Sequence, residues 1–285
     1  MRRFLLGVIV VLSLLLQASA TGHGPVFAYA TPVNSQGEWS FDEGFLVRNT
    51  ALGSQVTARS LFTYGFTPHL QISFTTPAIL TDSPMPRSRL AGGDDFESNI
   101  GWRFHHQVKG VGTRFESTAF GGIVVPGPQT GTGAFSNLKR APGFNGVLVS
   151  GFASRSHYLW LGGGYTRFAD RGDDRLPSTF SYSLAYGYRP SVLRKDYPFW
   201  DWRLFGELVG EKDSRIRQSS TPVFGTEAHQ VFVGPTTLGI YKSFAIEGGV
   251  QFPIYRNVGP LYPRERIRVA INVSYFLFQH GQHTH

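Results

Sequence analysis

Alternation with a period of two runs through most of this chain. In "RIRVAINVSYFLF", Ile267, Val269, Ile271, Val273, Tyr275 and Leu277 take one side; Arg266, Arg268, Ala270, Asn272, Ser274 and Phe276 take the other. Successive strand side chains point to opposite faces, so this is a strand with one apolar and one mostly polar face. It runs for roughly twice the ~5–6 residues of an average globular strand. "FESNIGWRF" sets Phe96, Ile100, Trp102 and Phe104 against Glu97, Asn99 and Arg103. "FSYSLAYGY" and "FAIEGGVQFPI" alternate in the same way. Twelve such segments are legible, near 38–48, 55–66, 69–77, 95–105, 113–125, 144–154, 158–168, 179–189, 201–211, 229–241, 244–254 and 265–278. No stretch carries a 3.6-residue period long enough to predict a helix.

The connections between these segments also follow a pattern. "TPH", "SRSH" and "KS" are tight turns, whereas "AILTDSPMPRSRLAGGD", "PGPQTGTGAFSNLKRAPG" and "EKDSRIRQSSTPVFGTEA" are long. The brief "NTALGS" and the longer "PSVLRKDYPF" break the rule, but the trend is short at one end of the strands and long at the other. Transmembrane barrels show this asymmetry, with short periplasmic turns and long external loops. An even number of strands also puts both chain ends on the periplasmic side.

The start of the chain agrees with export. Arg2 and Arg3, the apolar run Phe4 to Leu16, and Ala18-Ser19-Ala20 form the three parts of a secretory signal peptide. The predicted organisation is a cleaved signal peptide at 1–20, a periplasmic N-terminal segment at 21–36, a barrel at 37–278 and a His-containing tail at 279–285. No second apolar run is long enough for a spanning helix. The chain has no cysteine, so no disulfide holds it. The formal charge of +8 loses two with the signal peptide, and no basic run points to nucleic acid.

Composition narrows the class further. There are 34 glycines in 285 residues, well above the usual ~7%. Aromatic residues are abundant and concentrate in the alternating segments. Trp39, Trp102, Trp160, Trp200 and Trp202, with Tyr275, all fall at the predicted periplasmic strand ends, which predicts an aromatic girdle at the lipid–water boundary. A soluble sandwich would need a second sheet to cover the apolar faces. The predicted fold is therefore all-β: a transmembrane antiparallel up-and-down β-barrel of about 12 strands in the cell outer membrane, with lipid outside and a polar lumen inside.

Several stretches together resemble a known family: "GHGPVFAYATPVNSQGEWSFD", "YGFTPHLQISFTTP", "GGDDFESNIGWRF", "FGGIVVPG" and "VFVGPTTLGIYKSFAIEGGVQFPI". They are similar to the outer-membrane transporter-like proteins associated with the meta-cleavage pathway of phenol degradation. "VFAYATPV" lacks the acidic pair that often follows the first proline in that family. The resemblance implies a barrel that moves small organic molecules, and it assigns no catalytic residue.

The predicted lumen face carries Glu97, Arg103, Arg114, Glu116, Arg203, Glu207, Glu247, Arg266 and Arg268. Charges of both signs suit a narrow wet pore that selects solutes, or a ladder of ion pairs that plugs the barrel. Twelve strands lie between filled barrels of ~8 and open porins of ~16–18. The tail residues His280, His283 and His285 have the spacing of a flexible metal-binding tract, but a solvated tail is the simpler reading, and no metal or other cofactor is expected. Ser156 and His157 are adjacent in a turn, and no His-x-Ser-Asn motif is present, so an enzyme is not expected.

The expected function is a channel or transporter for small solutes, aromatic or hydrophobic ones included, through a narrow charged lumen, with the loops near 126–143 and 212–228 as candidate lids or constrictions. The alternatives are a non-transporting structural or binding barrel and a lipid-modifying enzyme. The expected partners are outer-membrane lipid, small-molecule solutes and the barrel-insertion machinery, which the aromatic close "SYFLF" resembles in its recognition signal.

Overall fold

The computed structural model describes residues 24–51, 53–81, 95–127, 138–195 and 199–278. The expected signal peptide, the tail with His280, His283 and His285, and most of the loop near 126–143 lie outside the described residues. The described residues form fourteen strands: β1 Glu38–Thr50, β2 Gly53–Thr67, β3 Leu70–Ile79, β4 Phe96–Gly110, β5 Thr113–Val125, β6 Gly143–Ala153, β7 His157–Phe168, β8 Thr179–Tyr188, β9 Asp201–Asp213, β10 Arg217–Gln218, β11 Thr221–Pro222, β12 Ala228–Tyr241, β13 Phe244–Val258 and β14 Glu265–Phe278. Twelve of them pair antiparallel with their neighbours, and β1 against β14 closes the barrel. The short β10–β11 hairpin lies in the long connection between β9 and β12. Among the described residues there is no helix.

Closure satisfies the backbone. A membrane offers no water to an unpaired N–H or C=O, so a sheet in lipid must leave no edge. Glu38 opens β1 opposite Phe278 at the end of β14, which puts both barrel termini at one end. Tight turns lie at that same end. Pro68 and His69 join β2 to β3, and Gly112 turns β4 into β5 with φ of 69°. Lys242 and Ser243 turn β12 into β13, and Lys242 takes φ of 54°. Most long connections lie at the other, external end; the β8–β9 connection lies with the tight turns, and the short β1–β2 turn lies with the long ones.

Alternation sorts the side chains. In β14, Arg268, Ala270, Ser274 and Phe276 are buried inside the barrel; Val269, Ile271, Val273 and Leu277 are exposed on its outer wall. β7 and β8 alternate strictly in the same way. The outer wall is a continuous belt of exposed Phe, Leu, Ile and Val. Only lipid can cover such a belt on a closed cylinder.

A carboxylate interrupts the belt. Glu43 points outward between the exposed Phe41 and Phe45 of β1, and the Ser60 hydroxyl of β2 donates a hydrogen bond of 2.5 Å to its carboxylate. A carboxylate on the lipid face costs stability even when bonded. Glu43→Leu is expected to raise the unfolding free energy by about 1–2 kcal/mol, less than a cation at the same depth would cost. Chemical denaturation in lipid vesicles reads this, and a lower stability would contradict the placement.

The external loops pack on one another. Val124, Leu138, Phe168, Leu176 and Ile216 form an apolar cluster over the end of the barrel. Asp174 ties the loops together. Its carboxylate accepts the main-chain N–H groups of Ser219 at 2.9 Å and Lys139 at 3.1 Å. Those two bonds hold its pKa below the ordinary carboxylate range.

Candidate functional site: a plugged lumen

The segment before β1 does not lie in the periplasm, as 21–36 was expected to. Residues 25–34 pass inside the barrel. The segment has no alternation because it is not a strand; its own N–H groups are its means of attachment. The Glu207 carboxylate on the inner face of β9 accepts three successive main-chain N–H groups: Val26 at 2.8 Å, Phe27 at 2.7 Å and Ala28 at 2.8 Å. Thr236 of β12 donates to the same carboxylate. Tyr29 donates its N–H to Ser183 at 3.0 Å, and its hydroxyl lies 2.7 Å from that of Ser181. Thr31 is clamped between strands. Its hydroxyl accepts from the Trp160 indole at 3.0 Å, and its carbonyl accepts from Thr118 at 2.7 Å. Asn34 donates its N–H to Gln71 at 2.8 Å.

Packing supplies the rest of the attachment. Phe27 is buried against Leu46, Val209 and Ala270. Ala28, Tyr29 and Ala30 lie on an aromatic floor that includes Tyr158, Trp160, Phe205 and Phe276. Two glycines of "LGGGY" in β7 make room. A Cβ on Gly162 would stand 2.9 Å from the Tyr29 Cβ, and one on Gly164 would stand 2.9 Å from the Tyr29 hydroxyl. A side chain at either position would have to displace Tyr29.

Beside the plug lies a cavity of about 340 Å³. Asp42, Arg59, Glu97, Asn99, Asn145, Glu247 and Asn272 give it polar walls; Tyr29, Leu61, Phe120 and Val147 give it an apolar side. The Asn99 and Asn145 amides both donate to Glu97, at 3.2 and 3.1 Å. A carboxylate needs donors, so this fixes both amides with their oxygens turned away, and both Oδ1 atoms are buried without a partner. Asn272 donates to Glu247 at 3.3 Å.

The predicted lumen charges fall into separate groups. Glu97 and Glu247 line the cavity. Glu207 holds the plug. Glu116 is buried at the periplasmic end, 2.8 Å from Arg103 and 3.1 Å from Arg114, and Thr31 of the plug donates to it at 3.3 Å. Arg203 lies near the same end, 3.4 Å from Asp201 and 5.3 Å from the Tyr158 ring centroid. Arg268 is buried toward the external end. It contacts Glu265 at 2.7 Å and Glu211 at 2.8 Å, with its guanidinium 3.8 Å from the Phe232 ring centroid. Arg48 reaches Glu265 at 2.5 Å. Tyr262 and Thr179 donate to Asp213 at 2.8 and 2.6 Å beside this network.

Two predicted positions are corrected. Arg266 is exposed and does not face the lumen. Asn49 pairs with Ile267 but Thr50 pairs with Glu265, so a bulge at Arg266 reverses the alternation. Trp160 is no part of an external girdle, being only 2% exposed inside the barrel. The other aromatics stand outside at the short-turn end: Trp39 is 4.4 Å from Tyr64, Trp200 lies 5.5 Å from Trp202, and Tyr275 is 4.7 Å from Phe244. Trp102 is 56% exposed on the same side.

Ser156 and His157 do not form a nucleophile–base pair. Arg194 donates to the Ser156 hydroxyl at 3.3 Å, and the His157 ring bonds the Tyr186 hydroxyl at 2.8 Å. Among the described residues no three His, Cys, Asp or Glu side chains converge as a metal site.

Solved structures share this architecture. An outer-membrane channel from Pseudomonas putida F1 aligns over 90% of this chain and 100% of its own, with a TM-score of 0.56 and 10% identity. The NanC porin aligns over 82% of this chain and 98% of its own, with a TM-score of 0.52 and 9% identity. The fold is that of an outer-membrane β-barrel. No protein-family model matches the chain, and no curated protein sequence matches it. In this outer-membrane barrel the N-terminal segment occupies the lumen, and the ion network around Arg268 lies beneath the external loops.

Sequence reasoning put Asn99 and Asn272 on polar strand faces but singled out neither as a site residue, and it did not find Asp42, Arg59 or Asn145. Their signal is parity: each shares the inner face of its strand with a residue already read as polar. Nothing in "GPVFAYATPVNS" reveals a plug, because main-chain donors leave no mark in a sequence.

Proposed function

We propose that this protein is a gated outer-membrane channel for small solutes with hydrogen-bond donors on one edge and an apolar or aromatic face on the other. The cavity beside the plug carries this reading. Its three carboxylates, Asp42, Glu97 and Glu247, outnumber its one arginine, Arg59, and the Asn99 and Asn145 amides hold Glu97 in place. Such a wall attracts donors and repels anions. The opposite side, with Tyr29 and Phe120, suits an aromatic ring. The volume lies within the ~300–1,000 Å³ typical of small-molecule sites. Two structural neighbours, a channel and a porin by description, share the fold that this reading needs.

Liposome swelling tests the proposal. Phenol-like solutes are expected to enter faster than aromatic carboxylates of equal size. The difference should be roughly tenfold, the factor that one hydrogen bond of ~1.4 kcal/mol makes. Asp42→Asn with Glu97→Gln should narrow that ratio. Equal swelling by every solute, or none with a folded barrel, would overturn the proposal.

A further inference from the structure

The barrel wall is not equally sealed along its length. The β13–β14 ladder stops at Gln251 and Arg268. Yet β13 continues beside β12 to Val258, and β14 begins beside β1 at Glu265. The two strands part at the external end and leave a notch. A cleft of about 620 Å³ occupies it, bordered by Arg256, Arg264, Arg266, Asn257, Val258 and Ala51.

The charge of this cleft is one-sided. Three arginines border it and no carboxylate does. Glu265, between Arg264 and Arg266 in sequence, is turned inward and fully buried in the network with Arg48 and Arg268. Arg256 reaches across the notch and donates to the Glu265 carbonyl at 2.9 Å, which uses one of its five donors. Arg264 and Arg266 are exposed and make no ion pair among the described residues. Three guanidinium groups held together repel one another unless an anion joins them, and their forked geometry matches phosphate oxygens.

The wall below the cleft is greasy. Phe252, Ile254 and Tyr255 of β13, with Val269 and Ile271 of β14, are all exposed large apolar side chains. A cationic cleft directly above an apolar wall complements an amphiphile, with a phosphorylated head above and acyl chains below. In an outer-membrane barrel this end of the strands lies at the external leaflet, whose characteristic lipid is a phosphorylated, multiply acylated glycolipid. We propose that the β13–β14 notch binds the phosphate of that outer-leaflet glycolipid, with Arg256, Arg264 and Arg266 as its ligands. The site is separate from the lumen and stands whether or not the channel reading holds.

The test uses the full-length folded barrel in a non-ionic detergent, titrated with bisphosphorylated lipid A, dephosphorylated lipid A or inorganic phosphate. Native mass spectrometry counts the bound molecules. The bisphosphorylated lipid should be retained, and the dephosphorylated one should not. R264Q/R266Q should weaken retention by roughly tenfold or more, as expected for loss of charge-assisted bonds. Both arginines lie outside the buried network, so the variant should keep the barrel's heat-modifiable mobility. R171Q/R175Q, which removes the same charge from another external loop, should leave retention unchanged. Equal retention by R264Q/R266Q and the parent would overturn the proposal, as would equal loss from the control variant. Displacement of the lipid by millimolar inorganic phosphate would also overturn it and make the cleft a site for a free anion.

Discussion

Replacing Glu207 by alanine is expected to raise the resting conductance of the barrel in planar bilayers. One carboxylate holds three consecutive main-chain N–H groups of the plug. A hydrogen bond to a charged group contributes about 1.5–3 kcal/mol, so losing even one shifts a closed–open balance by roughly ten- to a hundredfold. The rest of the attachment is apolar packing, a clamp on Thr31 and the bonds of Tyr29 and Asn34, all of which survive the substitution at first. Glu207→Ala should therefore show more frequent openings of unchanged size. A chain lacking residues 24–36 should instead conduct continuously. If both variants fold and conduct no more than the parent, the segment is not a gate.

The second large effect falls on stability. Arg268→Ala is expected to cost roughly 3–5 kcal/mol, the usual result of removing one partner from a buried ion pair. Arg268 is fully buried, contacts both Glu265 and Glu211, and packs on Phe232. Its loss would leave two carboxylates in a dry corner with less positive charge than they were built around. Paired removal should be gentler. R268L/E211L is expected to cost less than R268A alone, because no uncompensated charge is left behind. Denaturant unfolding in vesicles measures both. An Arg268→Ala cost below ~1 kcal/mol would show that the network is wet and weakly coupled.

The barrel itself was legible because lipid imposes one simple rule. A residue on the outer wall must be apolar, so strands such as β14 declare their orientation in every second letter. What was illegible had a different physical origin in each case. Trp160 is flanked by Leu159 and Leu161, so both faces of β7 are apolar and alternation cannot say which is inside. The clue was Gly162 and Gly164 on the Trp160 face, since small residues there leave room for an occupant. Arg266 was misplaced because a single bulge shifts parity, and a bulge has no reliable signature. The cavity asparagines were missed because an amide looks unremarkable until its neighbours show which of its atoms is left without a partner.

The seating of the plug constrains the order of assembly. Its bonds to β8 and β9 join residues 152 to 181 positions apart. A segment made before every strand therefore cannot settle until most of the cylinder stands. A half-built sheet would hold the early segment loose in the periplasm, where its aromatic residues are open to proteases and chaperones. Maturation of this protein should then end with a threading event, the last piece of the lock being one made before any of its walls.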